Sequence, residues 1–367
     1  MEVKNNYKEC LTNLACSIRK YFNLSYNHNT LDYIDKILES EKPKNVIVIL
    51  FDGMGSKILD RTLDDNSFFI KNKYKDITTV FPATTTAATA SIRTGLNPVE
   101  HGWLGWNTYI SSIDKTITLF LKSEKGKETA CEEFINTPNT LVNTTIVEEI
   151  NKKGEYNAIE LFPFGNNKYD TLDEMISKIE DISSKDGIKY IYAYDDEPDH
   201  SMHELGPDSD VVKKLIKERN DKIESLCERL TDSLIIIIAD HGHLKVENIM
   251  LNNYPEITQM LERTPSLEPR AISFKVKDEY LKIFKEKFIE LFGNDFDLYS
   301  KNDIIESKLF GDGVENELFE PAIGDFIAIS KTNKCLLSDG DIELVSQHAG
   351  YTDDEIYVPL ILKKIKR

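Results

Sequence analysis

Three short apolar runs, each stopped abruptly by acids or histidine, limit most strongly what this chain can fold into. VIVILF (46–51) ends at Asp52-Gly53. IKYIYAY (188–194) ends at Asp195, Asp196, Glu197, Pro198 and Asp199, with His203 following. SLIIIIA (233–239) ends at Asp240-His241-Gly242-His243. Runs of this kind, β-branched and without polar alternation, belong to strands buried on both faces of a parallel sheet. Helical patterns over 171–184 and 209–230 separate them. The sequence therefore predicts an α/β fold with a doubly wound, mostly parallel central sheet flanked by helices.

The rest of the chain is arranged around that sheet. Residues 1–44 read as a polar helical segment closed by Lys42-Pro43-Lys44. The core is expected over 45–243 and 321–367, with IGDFIAIS (323–330) and IYVPLIL (356–362) as closing strands. Between these lies 244–320, read as a small α+β cap or insertion. It holds a strand-like ISFKVK (272–277) and an amphipathic helix over 279–293 ended by Gly293.

In an open parallel sheet, ligands bind outside the carboxyl ends of the strands. Three such ends here bring several carboxylates and imidazoles towards one crevice. That many negative charges repel one another unless a cation lies among them. Mixed carboxylate and imidazole donors suit zinc, with manganese or iron as alternatives. Each element alone has a plainer reading. Asp52-Gly53 is an ordinary turn pair, Asp199 and His203 share a helical face as many surface pairs do, and His348 is one loop histidine. Their coincidence is what points to a metal site.

A nucleophile is offered by FPATTTAATASIRTGLNPVEHG (81–102), where three threonines precede an alanine-rich segment closing at Gly95. These threonines fit a helix N-cap. A hydroxyl there also sits in the positive potential where phosphate oxygens bind. Threonine attacks well only when its pKa is lowered, which nearby metal ions would do.

Taken in order, FDGMG, FPATT, TGLNPVEHG, EPDHSMH, ADHG and a late HAG resemble the nucleotide pyrophosphatase/phosphodiesterase branch of the alkaline phosphatase superfamily. The likeness runs from about residue 45 to 362, and it implies an alkaline phosphatase-like core. It selects Thr85 as nucleophile over Thr84 and Thr86. It implies one zinc held by Asp52, Asp240 and His241, and another by Asp199, His203 and His348. The implied reaction passes through a phosphothreonine that water then hydrolyses, cleaving a phosphodiester or nucleotide pyrophosphate. Two positions depart from the pattern. Ala88 stands where an asparagine is usual, and the asparagine that helps bind the phosphoryl group falls at Trp106 by direct count, with Asn107 beside it. Asn107 is expected to take that role. Trp103 and Trp106 flank the expected pocket, either packing the loop or stacking on a planar leaving group.

Other readings are constrained by the same sequence. A phosphomonoesterase or phosphonate hydrolase would use similar machinery, and a monoesterase would be expected to present an arginine, Arg93 being the nearest in sequence. The C/S-x-P-x-R motif of sulfatases is missing from the sequence. A silent metal-binding scaffold would be expected to have lost a ligand or the nucleophile. With 45 Lys and Arg against 63 Asp and Glu, the net charge of −18 disfavours a nucleic-acid surface but allows a small phosphate ester or nucleotide at a metal site. The five scattered cysteines include no Cys-x-x-Cys pair. No apolar run approaches the roughly 18 residues of a spanning helix. The expectation is a soluble cytoplasmic protein without a membrane partner.

Overall fold

The computed structural model describes residues 3–138 and 140–366. Its centre is a six-stranded sheet in the order Lys73–Thr78, Tyr357–Ile365, Ser233–Ile238, Asn45–Phe51, Lys189–Asp195, Asn157–Leu161. The last four run parallel, while Tyr357–Ile365 is antiparallel to both of its neighbours. Every residue of Asn45–Phe51, Lys189–Asp195 and Ser233–Ile238 is buried, as expected of strands covered on both faces.

The helices gather in two groups. Leu11–Tyr21 packs on Asp32–Glu41 and on Thr85–Thr94, which touches Ile146–Lys153. Asp210–Arg229 packs on Leu172–Ser184, Ser56–Thr62 and Phe68–Asn72. The N-terminal segment is less polar in its packing than in its sequence, because Leu11 to Arg19 are all buried. Side chains such as Leu11, Leu14 and Ile18 stabilise the fold by about 1.5–3 kcal/mol each when fully buried.

A second, seven-stranded sheet is antiparallel and draws on more of the chain than the stretch 244–320. Its order is Phe296–Ser300, Phe326–Ser330, Ala271–Phe274, Ser266–Glu268, Asn107–Ile110, Lys115–Thr118, Ser123–Glu124. The run 323–330, expected to close the central sheet, instead contributes Phe326–Ser330 to this one. The physical reason is burial on both faces. Ile327 and Ile329 enter a cluster with Phe81 and Leu104, while Phe326 and Ala328 enter one with Phe284 and Phe288. An apolar run of that kind satisfies either sheet, so its sequence does not choose between them.

A buried ion pair ties the second sheet to the site loop. Arg270 and Glu355 have fully buried side chains and meet through two bonds of 2.6 and 2.9 Å. Glu355 also accepts from the N–H groups of Gly350 and Thr352, which fixes the loop carrying His348.

Candidate active site and metal centre

Strand register aligns the three acidic ends. Phe51 pairs with Asp195, and Leu50 with Ile238, so Asp52 and Asp240 each follow two residues after paired positions. The Asp52 N–H donates to Asp195 O at 2.9 Å, and Asp199 N–H to Asp52 O at 3.1 Å. Two glycines make this crowding possible. Gly53 turns the chain at φ +71, where a side chain would press on Asp199 and Met202. At Gly242 a Cβ would lie 1.9 Å from Asp354 O.

One group of donors forms around Asp52. His241 Nε2 lies 3.3 Å from Asp52 Oδ1 and 3.5 Å from Asp240 Oδ2. Asp240 Oδ1 accepts from the N–H groups of Gly53 and His241, which leaves Oδ2 buried without a hydrogen-bond partner. The Tyr194 hydroxyl donates to Asp52 Oδ2. Burial, then the charges of Asp240 and Asp199, raise the Asp52 carboxyl well above the usual range. Asp52, Asp199 and His241 offer atoms mutually within 4.8 Å; Asp240 lies outside that tight group but against His241.

The second group is Asp199, His203, His243 and His348, also within 4.8 Å of one another. Asp199 and His203 share one face of the helix Asp199–Leu205, with Oδ2 and Nε2 3.3 Å apart. The histidines are held from behind. Nδ1 of His203 lies 2.9 Å from Ser346 O, that of His348 3.0 Å from Ala83 O, and that of His241 3.1 Å from Gly242 O. A carbonyl only accepts, so each Nδ1 carries a proton and each Nε2 faces the site, as in histidine metal ligands. His243 follows the same rule through Ser346. That hydroxyl donates to Met202 O at 2.6 Å, so it accepts from His243 Nδ1 at 2.8 Å. His243 Nε2 then faces Asp199 Oδ1 across 2.8 Å, and both atoms are buried acceptors without a hydrogen-bond partner. Burial, with help from His203, lowers His243 to about 4, so it is neutral. Burial opposes ionisation of Asp199 and of His203, yet their mutual attraction wins, lowering the carboxyl and raising the imidazole. The carboxylate and the imidazole thus face one another across space that suits a cation. Orphaned carboxylate oxygens facing imidazole nitrogens are the arrangement that a divalent ion satisfies.

Thr85 opens the helix Thr85–Thr94, which closes at Gly95 in the left-handed conformation. Its hydroxyl lies 3.2 Å from His241 Nε2 and 3.3 Å from Asp52 Oδ2. Thr84, the N-cap, makes no side-chain cap bond, so it leaves the first-turn N–H groups available to an anion. Asn107 begins a strand of the second sheet and is buried. Its Oδ1 accepts from Thr118 at 2.7 Å, and its Nδ2 makes only a long 3.5 Å contact with Asp341. Trp106 is 37% exposed, edge-on to Phe120 at 5.7 Å. Trp103 is a loop-packing residue that donates to Val142 O. Arg93 is not directed at the crevice; it makes two 2.9 Å bonds to Glu160 and lies over Phe162.

Three residues of this neighbourhood were not singled out by sequence reasoning. His243 stood in the quoted strand end and could have been found there, two residues past His241. Tyr194 read as strand filler, and Glu268 carried no signal at all.

The family model described as type I phosphodiesterase/nucleotide pyrophosphatase matches residues 46–348. Among curated protein sequences none matches the chain. Among solved structures, an inactive murine ectonucleotide pyrophosphatase/phosphodiesterase 5 in complex with AMP is 18% identical, with a TM-score of 0.64 over 86% of this chain and 87% of that one. The human ectonucleotide pyrophosphatase/phosphodiesterase 5 is 17% identical, with a TM-score of 0.63 over the same shares. Identity this low carries the fold, whereas the family match spans most of the chain and includes every strand end described above. The chain therefore belongs to the type I phosphodiesterase/nucleotide pyrophosphatase family of hydrolases.

Proposed function

We propose that this hydrolase cleaves phosphodiester or nucleotide pyrophosphate bonds by attack of Thr85, at a site for two divalent ions that are zinc. The observation that carries the reading is the Thr85 hydroxyl, 3.2 Å from His241 Nε2 and 3.3 Å from Asp52 at a helix N-terminus. Asp52, Asp240 and His241 would hold one ion, and Asp199, His203 and His348 the other, with His243 against Asp199. When bound, such ions supply Lewis acidity at the phosphoryl oxygens and favour the alkoxide of the attacking hydroxyl.

The chain's own groups do the rest. Thr85 Oγ1 attacks phosphorus in line as the leaving oxygen departs with the hydroxyl's proton, giving a phosphothreonine; water then attacks from the vacated side, the bond to Oγ1 breaks, and Oγ1 takes up a proton from that water. Two inversions retain configuration at phosphorus. The first-turn N–H groups and the Asn107 amide donate to phosphoryl oxygens, and Trp106 offers a face to a planar leaving group. Arg93, committed to Glu160, does not answer the extra charge of a monoester, which favours diesters over monoesters. The AMP bound by the murine protein makes a nucleotide the first substrate class to try.

Thr85→Ala tests the assignment. The variant should keep its fold and two ions per chain yet lose turnover by about 10³-fold or more. Undiminished hydrolysis of p-nitrophenyl phenylphosphonate would remove Thr85 from the reaction.

A further inference from the structure

Glu268 has no part in the chemistry described so far, yet it touches the neighbours of two residues that do. It ends the strand Ser266–Glu268 of the second sheet and is 5% exposed. One oxygen, Oε1, accepts from the Thr84 hydroxyl at 2.7 Å and from the Trp106 N–H at 2.6 Å. Thr84 is covalently joined to Thr85, and Trp106 to Asn107. These two segments belong to different layers: the helix Thr85–Thr94 packs with the helices of the central sheet, whereas Asn107–Ile110 is a strand of the second. A single carboxylate oxygen therefore bridges the nucleophile's layer and the layer of the phosphoryl-binding amide.

The same bond decides what Thr84 does. A threonine at an N-cap normally turns its oxygen to the N–H of the second or third helical residue. Here its hydroxyl is drawn to Glu268 and no cap bond forms. Without Glu268, the side chain would be free to fold back over the first turn and occupy the anion site. Burial pushes the Glu268 carboxyl up to about 7, against the Thr84 and Trp106 bonds that lower it. An acceptor oxygen serves those two donors in either ionisation state.

We propose that Glu268 is a positioning residue that fixes the separation of Thr85 and Asn107 and keeps the first-turn N–H groups of the Thr85–Thr94 helix open to a phosphoryl oxygen. This rests on the functional reading above. Displacements near 1 Å in such a constellation cost roughly 100-fold in rate.

The test compares Glu268→Gln, Glu268→Ala and Thr84→Val in the full, zinc-loaded chain. Glu268→Gln keeps an acceptor oxygen and should hold kcat for p-nitrophenyl phenylphosphonate within about threefold. Glu268→Ala should lose about 100-fold in kcat with KM and ions per chain little changed. Thr84→Val removes one of the two bonds and should lose about tenfold. Trp103 and Trp106 are the only tryptophans, so emission reads the Trp106 turn independently of turnover. It should shift in Glu268→Ala and not in Glu268→Gln. Wild-type kcat in Glu268→Ala or Thr84→Val overturns the proposal, as does a Glu268→Gln variant as slow as Glu268→Ala, or loss of metal as the cause. Should Glu268→Ala not fold, Thr84→Val and Glu268→Gln decide between the same outcomes. A wild-type chain that cleaves no diester overturns the functional reading instead, and emission then decides Glu268 by itself: a shift confined to Glu268→Ala supports the proposal, and no shift overturns it.

Discussion

Replacing Asp240 by asparagine should change the chain's stability in opposite directions with and without metal. The substitution is nearly isosteric. Asparagine keeps the Oδ1 that accepts from Gly53 N–H at 3.0 Å and His241 N–H at 2.9 Å, so the turn loses no backbone partner. At Oδ2 it puts an amide N–H beside His241 Nε2, now 3.5 Å away, and so removes a buried acceptor that has no hydrogen-bond partner. In the metal-free chain a negative charge near Asp52 disappears. Burial is the largest cause of the raised Asp52 pKa and the Asp240 charge the next. Losing that charge and a buried acceptor without a partner should make the metal-free variant more stable by about 1–2 kcal/mol, a rise of roughly 1–3 °C in Tm. With metal present the sign reverses. A ligand oxygen is gone and the imidazole lone pair is taken, and a hundredfold weaker site forfeits about 2.7 kcal/mol of metal-linked stability. Differential scanning fluorimetry of both proteins, in chelator and in excess zinc, reads the two differences. Destabilisation under both conditions would show Asp240 to be structural, and the reasoning about a cation between these carboxylates would fail.

Other predictions follow from the same geometry. His348→Ala should lose about one ion per chain by elemental analysis while keeping the second, since its Nδ1 is anchored only to Ala83 O; a full complement of metal would exclude it as a ligand. Trp106→Ala should raise KM for nucleotide substrates by roughly 3–10-fold and leave small nitrophenyl esters unchanged, the loss of one stacking partner; equal effects would make it a packing residue. Metal uptake should release protons, because Asp52 must ionise from a pKa raised chiefly by burial. The sign is fixed: the contribution of Asp52 to stability of the metal-free fold is greatest below the ordinary carboxylate range and is lost as pH rises through the raised value, while metal affinity gains over that interval. Calorimetric titration in buffers of different ionisation heat would measure the proton count, and a count of zero would contradict it.

How much of this was legible beforehand depends on whether a residue's role follows from its own strand. Asp52, Asp199, Asp240 and His241 announce themselves because a doubly buried strand that stops at charged residues has few reasons to do so. His348 does not, being one histidine in a loop whose position depends on Glu355 and Arg270, so that by itself it reads as an ordinary loop residue. Glu268 is hidden more deeply. It ends a three-residue strand and meets Thr84 across 184 positions of sequence, through the packing of two sheets. The strand Phe326–Ser330 was visible as a strand, but its even burial on both faces concealed which sheet it joins.

The central claim is metal-dependent diester cleavage by this one site. Hydrolysis of p-nitrophenyl thymidine monophosphate beside p-nitrophenyl phosphate, with zinc and with chelator, tests it most directly. The account predicts faster turnover of the diester, lost in chelator and restored by zinc. Faster turnover of the monoester, or turnover indifferent to chelator, would contradict it.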